Sequence, residues 1–163
     1  MHNKWVIADL HLGHNVIKKF CPNRYGETAE EHHEWVVENW NSVVGKKDTV
    51  YLLGDVAFNR SGLKYVSRLK GHKVLIGGNH DRNLIVYKDL CSTINGCRCL
   101  QGYWLTHIPI HPQELYGRKN IHGHTHNGII RDPNYINVSL DMNNGFPILF
   151  QDIIDGKYTT YDR

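Results

Sequence analysis

The 163-residue chain has no apolar run near the ~20 residues that a membrane-spanning helix needs, so no membrane protein is expected. It has only four cysteines, Cys21, Cys91, Cys97 and Cys99, and none stands in a C-x-x-C pair. That spacing argues against a zinc ribbon or a thioredoxin-like redox motif. No secretory signal opens the chain, and reduced thiols with no leader fit a cytoplasmic protein, host-cytoplasmic if phage-encoded. A large charge of one sign is also missing: 19 basic residues face 16 acidic ones, and the basic residues form no long run. Tight binding to nucleic acid is not expected from that balance. Internal repeats, low-complexity stretches and linkers are absent, so residues 1–163 read as a single domain. What is abundant is histidine, with 12 residues. Histidine is the commonest metal ligand, so the excess calls for a reason. His2, His32, His33 and His72 read as a surface scatter.

Residues 4–8 form an expected strand that ends at Asp9, and residues 15–20 a helical turn. Pro22 and Gly26 mark residues 21–26 as a loop. Thr28 then reads as an N-cap, with Glu31 completing a capping box. The helix it starts runs to about residue 44, with Trp35, Val36, Trp40, Val43 and Val44 inward and Gly45 as its stop. Residues 48–53 are the next strand, Ser61 caps a helix to Lys70 that Gly71 stops, and residues 72–76 are the third strand. Strand–helix–strand–helix–strand argues for parallel pairing with helical crossovers. The second half holds short strands near 93–99, 102–107, 118–122, 134–138 and 147–150, with little helix. Two packed sheets with helices outside accommodate both halves.

Five motifs lie past these apolar runs: Asp9-Leu10-His11, Gly54-Asp55, Gly78-Asn79-His80-Asp81, Thr106-His107 and Gly123-His124-Thr125-His126. In extended geometry residues i and i+2 point the same way, so Asp9 with His11, and His124 with His126, can each face one ion. One aspartate, Asp55, has two oxygens and can bridge two cations. Asn79 offers a neutral oxygen, and a helix start after Asp81 would favour an anionic group. His111 competes with His107, and Pro109 makes a shared helix unfavourable. His122 falls before Gly123 and reads as a wall of the site. Each motif alone is weak. Together they supply three acidic or amide oxygens and four imidazoles, a set suited to Mn, Fe or Zn rather than Ca or Cu(I). A carboxylate shared between two such sets makes a two-metal site, with ions about 3.5–4 Å apart, and His80 stands close enough to protonate a leaving oxygen.

In this order the motifs resemble the calcineurin-like metallophosphoesterase superfamily, in particular its small stand-alone bacterial and phage members. The resemblance runs from Asp9 to about Asp141. It implies an α/β (α+β) fold, a four-layer sandwich of two mixed β-sheets flanked by α-helices. It implies one metal on Asp9, His11, Asp55 and His126, and a second on Asp55, Asn79, His107 and His124. The ions are two divalent metals per chain, Mn²⁺ first, with Fe, Zn, Ni or Co able to replace it. His80 would act on the leaving group, with Asp81 orienting it. His14, Asn15, Arg24 and Arg82 follow ligand motifs or sit in a nearby loop and are candidates for phosphate contacts, and His111 for lining the pocket.

The implied activity is hydrolysis of a phosphodiester or phosphomonoester, with a small nucleotide-type substrate. A nuclease is a second expectation, weakened by the near-neutral charge and by the absence of an added strand-binding domain. A non-catalytic metal-binding scaffold is a third, weakened by His80, which a scaffold does not need.

Overall fold

A computed structural model describes residues 2–162; Met1 and Arg163, the two ends of the expected domain, lie outside the described residues. In chain order the strands are β1 (Lys4–Ile7), β2 (Thr49–Leu52), β3 (His72–Ile76), β4 (Thr93–Asn95), β5 (Arg98–Leu100), β6 (Tyr103–Leu105), β7 (Lys119–His122), β8 (Tyr135–Asn137) and β9 (Ile148–Leu149). The α-helices are α1 (Ile17–Phe20), α2 (Ala29–Val43), α3 (Arg60–Val66) and α4 (Phe150–Ile154). They make two mixed sheets, one ordered β4-β3-β2-β1-β9 and the other β5-β6-β7-β8. Neighbours β1 to β4 are parallel, with β9 antiparallel to β1. In the second sheet β6, β7 and β8 are parallel and β5 is antiparallel. The expected α/β sandwich of two mixed sheets with helices is the fold observed.

Parallel strands buried on both faces need apolar side chains at nearly every position. Val6, Ala8, Tyr51, Leu53, Val74 and Ile76 point from the first sheet into a core shared with Leu105, Ile121, Ile136 and Val138 of the second. The alternate residues Ile7, Val50, Leu52 and Leu75 face a second core built with Val36, Val37, Trp40 and Val44 of the α2 segment. The cover over the far face of the second sheet is thin. A 3₁₀ turn at Pro112–Leu115 lies there, with the Trp104 indole N–H donating to Leu115 and the Tyr135 hydroxyl to Ile110.

Helix α2 starts where its local chemistry directs. The Thr28 side chain accepts from the Glu31 N–H, and the Glu31 carboxylate accepts from the Thr28 N–H. Four expectations change. Asn59, not Ser61, caps α3: Asn59 Oδ1 accepts from the Gly62 N–H while Ser61 Oγ donates to Asn59. The helix ends at Val66 rather than Lys70, because residues 67–70 turn back onto α2, where Asn41 and the Trp40 indole hydrogen-bond Lys70. The apolar run at 93–99 divides into β4 and β5, which belong to different sheets. His32 and His33 are not surface residues either, with relative exposures of 0% and 2%. They lie on the inward side of α2, where His33 Nε2 accepts from the Gly13 N–H and its Nδ1 meets the Ala29 carbonyl. No helix among the described residues is long and apolar enough to cross a membrane.

Candidate metal centre

The loops that follow β1, β2, β3, β6 and β7 meet at one edge of the two sheets. Backbone hydrogen bonds tie them together: Asp9 N–H to Gly54 O, His11 N–H to Asp55 O, and Gly123 N–H to His107 O. Side chains add to the ties, with the His80 N–H donating to Asp55 Oδ1 and the His124 N–H to Asp9 Oδ2. This is the carboxyl end of parallel strands, where open α/β sheets bind their ligands.

The expected extended geometry does not hold. Asp9, His11, Asp55, His124 and His126 all have positive φ, between 49° and 67°. A non-glycine residue there costs of order 1 kcal/mol and persists only where its surroundings over-determine it. Here the backbone curls so that each side chain turns inward, and the i, i+2 spacing works through left-handed turns rather than an extended strand. The loops approach so closely that a Cβ at Gly78 would fall 2.4 Å from Asp55 N and Oδ1. One at Gly123 would fall 2.5 Å from Asp9 Oδ2.

Two groups of ligand atoms result, each within 4.8 Å of one another: Asp9, His11 and His126, and Asp55, His107 and His124. Asn79 joins the second, its Oδ1 lying 2.8 Å from His107 Nε2 and 3.0 Å from His124 Nδ1. Asp55 stands between the groups. Its Oδ2 is 3.4 Å from His107 Nε2, 3.7 Å from His11 Nε2 and 4.0 Å from His80 Nε2. The second nitrogen of His107 points at the Leu53 carbonyl, 2.8 Å away, which orients the ring and leaves Nε2 for a cation.

Several buried atoms here have no partner: Asp9 Oδ1 and both ring nitrogens of His11. A buried carboxylate oxygen and imidazole left unpaired are costly, and a cation between them relieves the cost. The residues therefore fit divalent metal, with hard oxygens and borderline nitrogens as donors. The electrostatics differ from residue to residue. Burial, with the nearby charge of Arg24, lowers the pKa of His11 to about 3, so its imidazole is neutral and one ring nitrogen keeps its lone pair. Burial would lower His107 too, but its hydrogen bond to Asp55 and the charges of Asp9 and Asp55 outweigh it and raise the value. Burial alone would raise the Asp55 carboxyl, but the His107 hydrogen bond and charge outweigh it and hold the value at about 2. Burial raises Asp9, against the pull of His107 and His126.

A brace holds the first group in place. The Arg24 guanidinium grips Asp141 in a bidentate pair, Nε to Oδ1 at 2.8 Å and Nη2 to Oδ2 at 2.7 Å. The same guanidinium donates to the Asp9 and Leu10 carbonyls. Asp141 Oδ2 lies 2.8 Å from His126 Nδ1, and Cys21 Sγ lies 3.4 Å from that nitrogen. The hydrogen bonds to Asp141 and Cys21 raise His126 to about 10. Nδ1 is engaged by Asp141, so a cation would take Nε2 and displace its proton. Cys21, His126 and Asp141 also sit close enough to be ligands, but these atoms already bond one another and Arg24.

The expected site residues beyond the ligands fare differently. Arg24 is buried, its guanidinium held by Asp141 and by the Asp9 and Leu10 carbonyls, so it braces the ligand loop rather than presenting to a phosphate. Asp81 does not reach the His80 ring. Its carboxylate accepts from the Asp55, Val56 and Gly78 N–H groups and from the Tyr87 hydroxyl. It fixes two ligand loops to each other. The segment after it forms only a 3₁₀ turn, Leu84–Tyr87, and no α-helix start. His80 is 40% exposed at the rim, 5.5 Å from His11 ring to ring. His14 packs edge-on to Phe58. Asn15 is exposed beside α2 and α3, away from the ligand groups. Arg82 is exposed in a pocket that also includes His80. His111 caps the 3₁₀ turn at Pro112–Leu115 and joins no ligand group. His122 is buried behind the site, its Nδ1 2.9 Å from the Gly123 carbonyl. Asn137 and Tyr87 escape sequence reading. Asn137 donates to the His126 and Gly128 carbonyls and to Thr125, fixing the His126 loop. Only an isolated polar residue in an apolar strand signals it.

Fold and site together define a two-sheet α/β protein whose strand ends gather histidine and carboxylate groups able to hold metal. The chain belongs to the family of the uncharacterized protein MJ1445 of Methanocaldococcus jannaschii, with 32% identity over 142 residues, 84% of this chain and 77% of that one. It is also similar to the Gene 66 proteins of two mycobacterial phages. Identity to the phage L5 protein is 38% over 86 residues, half of this chain and 41% of that protein. Identity to the phage D29 protein is 29%, covering 86% and 89% of the two chains. The crystal structure of the protein of unknown function AQ665 from Aquifex aeolicus has the same fold, with a TM-score of 0.78, 23% identity and coverage of 95% and 99%. No family model matches the chain.

Proposed function

We propose that this protein is a metal-dependent phosphoesterase that hydrolyses a small phosphodiester, nucleotide-like in character. The observation that carries the reading is Asp55. Its Oδ2 faces imidazole nitrogens from three different loops, beside the unpaired buried Asp9 Oδ1 and His11 Nε2. Asp9, His11, Asp55 and His126 would hold one divalent cation, and Asp55, Asn79, His107 and His124 a second. Bound metals supply Lewis acidity at phosphorus and an activated water. The chain supplies the rest. Asp55 holds the two ligand sets in register through the Asp81 brace. The Arg24–Asp141–His126 chain fixes one set, and the Leu53 carbonyl orients His107 in the other. His80, at the exposed rim, delivers a proton to the departing oxygen. The resemblance to calcineurin-like metallophosphoesterases supports the same assignment.

Hydrolysis of bis-p-nitrophenyl phosphate, p-nitrophenyl phosphate and single-stranded DNA, measured with Mn²⁺, tests the reading. The diester is expected to turn over, Asp55→Asn to abolish turnover, and His80→Ala to lower kcat by about 10²-fold or more on substrates with poor leaving groups. No metal-dependent hydrolysis of any of the three contradicts it.

A further inference from the structure

Beside the candidate metal ligands lies a pocket of about 330 Å³ with His80 in its wall. Phe58, Arg60, Leu63, Arg82 and Val86 line it, over the buried ring of Tyr87. Its volume is at the lower end of small-ligand pockets, roughly 300–1,000 Å³. Phe58 is 45% exposed. Its ring packs against His14 at 4.1 Å and lies 5.7 Å from that of His80, so it has a fixed place on the site's flank. Arg60 and Arg82 are exposed on the same pocket and have no side-chain hydrogen bond, ion pair or ring contact among the described residues. The acid that shares the pocket, Asp81, has both carboxylate oxygens engaged by buried donors.

An exposed aromatic ring beside two unneutralised guanidiniums suits a neutral planar ring joined to an anionic group. The pocket includes His80, the group assigned to the departing oxygen. We infer that the pocket receives the leaving group, and that this leaving group is a nucleoside phosphate, with the base on Phe58 and the phosphate on Arg60 and Arg82. The inference rests on the phosphoesterase reading and narrows its substrate to a phosphodiester whose departing half is itself a nucleotide. In the step, water adds its oxygen to phosphorus and the bond from phosphorus to the leaving oxygen breaks. The electron pair stays on that oxygen, which takes the His80 proton. The water keeps one proton as the new P–OH and loses the other to solvent, which returns a proton to His80 after the step.

Calorimetric titration of AMP, adenosine and ribose 5-phosphate tests the pocket. It is carried out in EDTA, so that contacts between phosphate and metal do not contribute. Wild type is expected to bind AMP at least about tenfold more tightly than either half-molecule. Phe58→Ala should weaken AMP and adenosine alike. The Arg60→Ala/Arg82→Ala double variant should weaken AMP and ribose 5-phosphate and leave adenosine unchanged. AMP binding no tighter than that of its halves, or unchanged in both variants, overturns the inference. Hydrolysis of bis-p-nitrophenyl phosphate by the same protein, without EDTA and with Mn²⁺ added, tests the underlying reading separately. Turnover without selective AMP binding removes the pocket assignment alone. Selective AMP binding without turnover removes the phosphoesterase reading and leaves a nucleotide site.

Discussion

Replacing Asp81 with alanine separates two roles that lie one residue from His80. The carboxylate accepts four hydrogen bonds: from Asp55 N–H at 2.8 Å, Gly78 N–H at 3.0 Å, Val56 N–H at 3.1 Å and Tyr87 O–H at 2.7 Å. The three backbone donors belong to the loops that carry Asp55 and Asn79. A buried donor left without its acceptor costs about 1–3 kcal/mol, so four of them put the loss on the order of 4 kcal/mol. Water entering the vacated space recovers part of that, and the terms are not additive. For a chain of this size the loss corresponds to a fall in Tm of about 10 °C. Urea denaturation and thermal melting of Asp81→Ala and His80→Ala, beside wild type, make the comparison. His80→Ala removes a partly exposed ring and should change stability by no more than about 0.5 kcal/mol. Tyr87→Phe removes one of the four donors and should show a smaller loss, coupled to Asp81 in a double-mutant cycle. Wild-type stability for Asp81→Ala, with a defect only in turnover, would refute the brace and return Asp81 to the role of orienting His80.

Acid should destabilise the fold through His32. Burial, with the charge of Arg24, lowers its folded pKa to about 3, while an unfolded histidine titrates near 6.5. The unfolded chain therefore takes up the proton first. The contribution is complete above about pH 6.5 and is lost as pH falls toward 3, at about 1.4 kcal/mol per pH unit, on the order of 5 kcal/mol in all. Urea midpoints at pH 7 and pH 4 should differ less in His32→Leu than in wild type, and equal differences would count against it. Gly78→Ala should cost about 1–3 kcal/mol and displace Asp55, because its Cβ meets Asp55 backbone at 2.4 Å. A melt and a Mn²⁺ titration indistinguishable from wild type would show that the loops need not approach so closely.

The features legible in the sequence are those whose cause is local. The Thr28–Glu31 capping box follows from residues three apart, and the first three strands from short apolar runs. The candidate ligands could be named because each stands in a compact motif of metal-binding types, and the structure draws all seven to one edge. What binds those motifs together was not legible. Arg24 and Asp141 are 117 positions apart, and nothing near Arg24 signals a buried carboxylate partner. Asp81 follows His80 directly, yet its partners lie 25 and 26 positions back as well as nearby. Adjacency in sequence suggested a pairing that the loop geometry does not make. The left-handed turns at Asp9, His11, Asp55, His124 and His126 escaped for a related reason. Local propensity disfavours them, and tertiary contacts impose them.

In the proposed centre Asp55 joins a pair of cations, and counting Mn²⁺ bound per chain, by equilibrium dialysis with elemental analysis, tests this most directly. Wild type is expected to bind about two ions. Asp55→Ala should lose tight binding of both, whereas His126→Ala should lose one. Failure of wild type to bind Mn²⁺ or another divalent transition metal, or a count in Asp55→Ala equal to that of wild type, would contradict it.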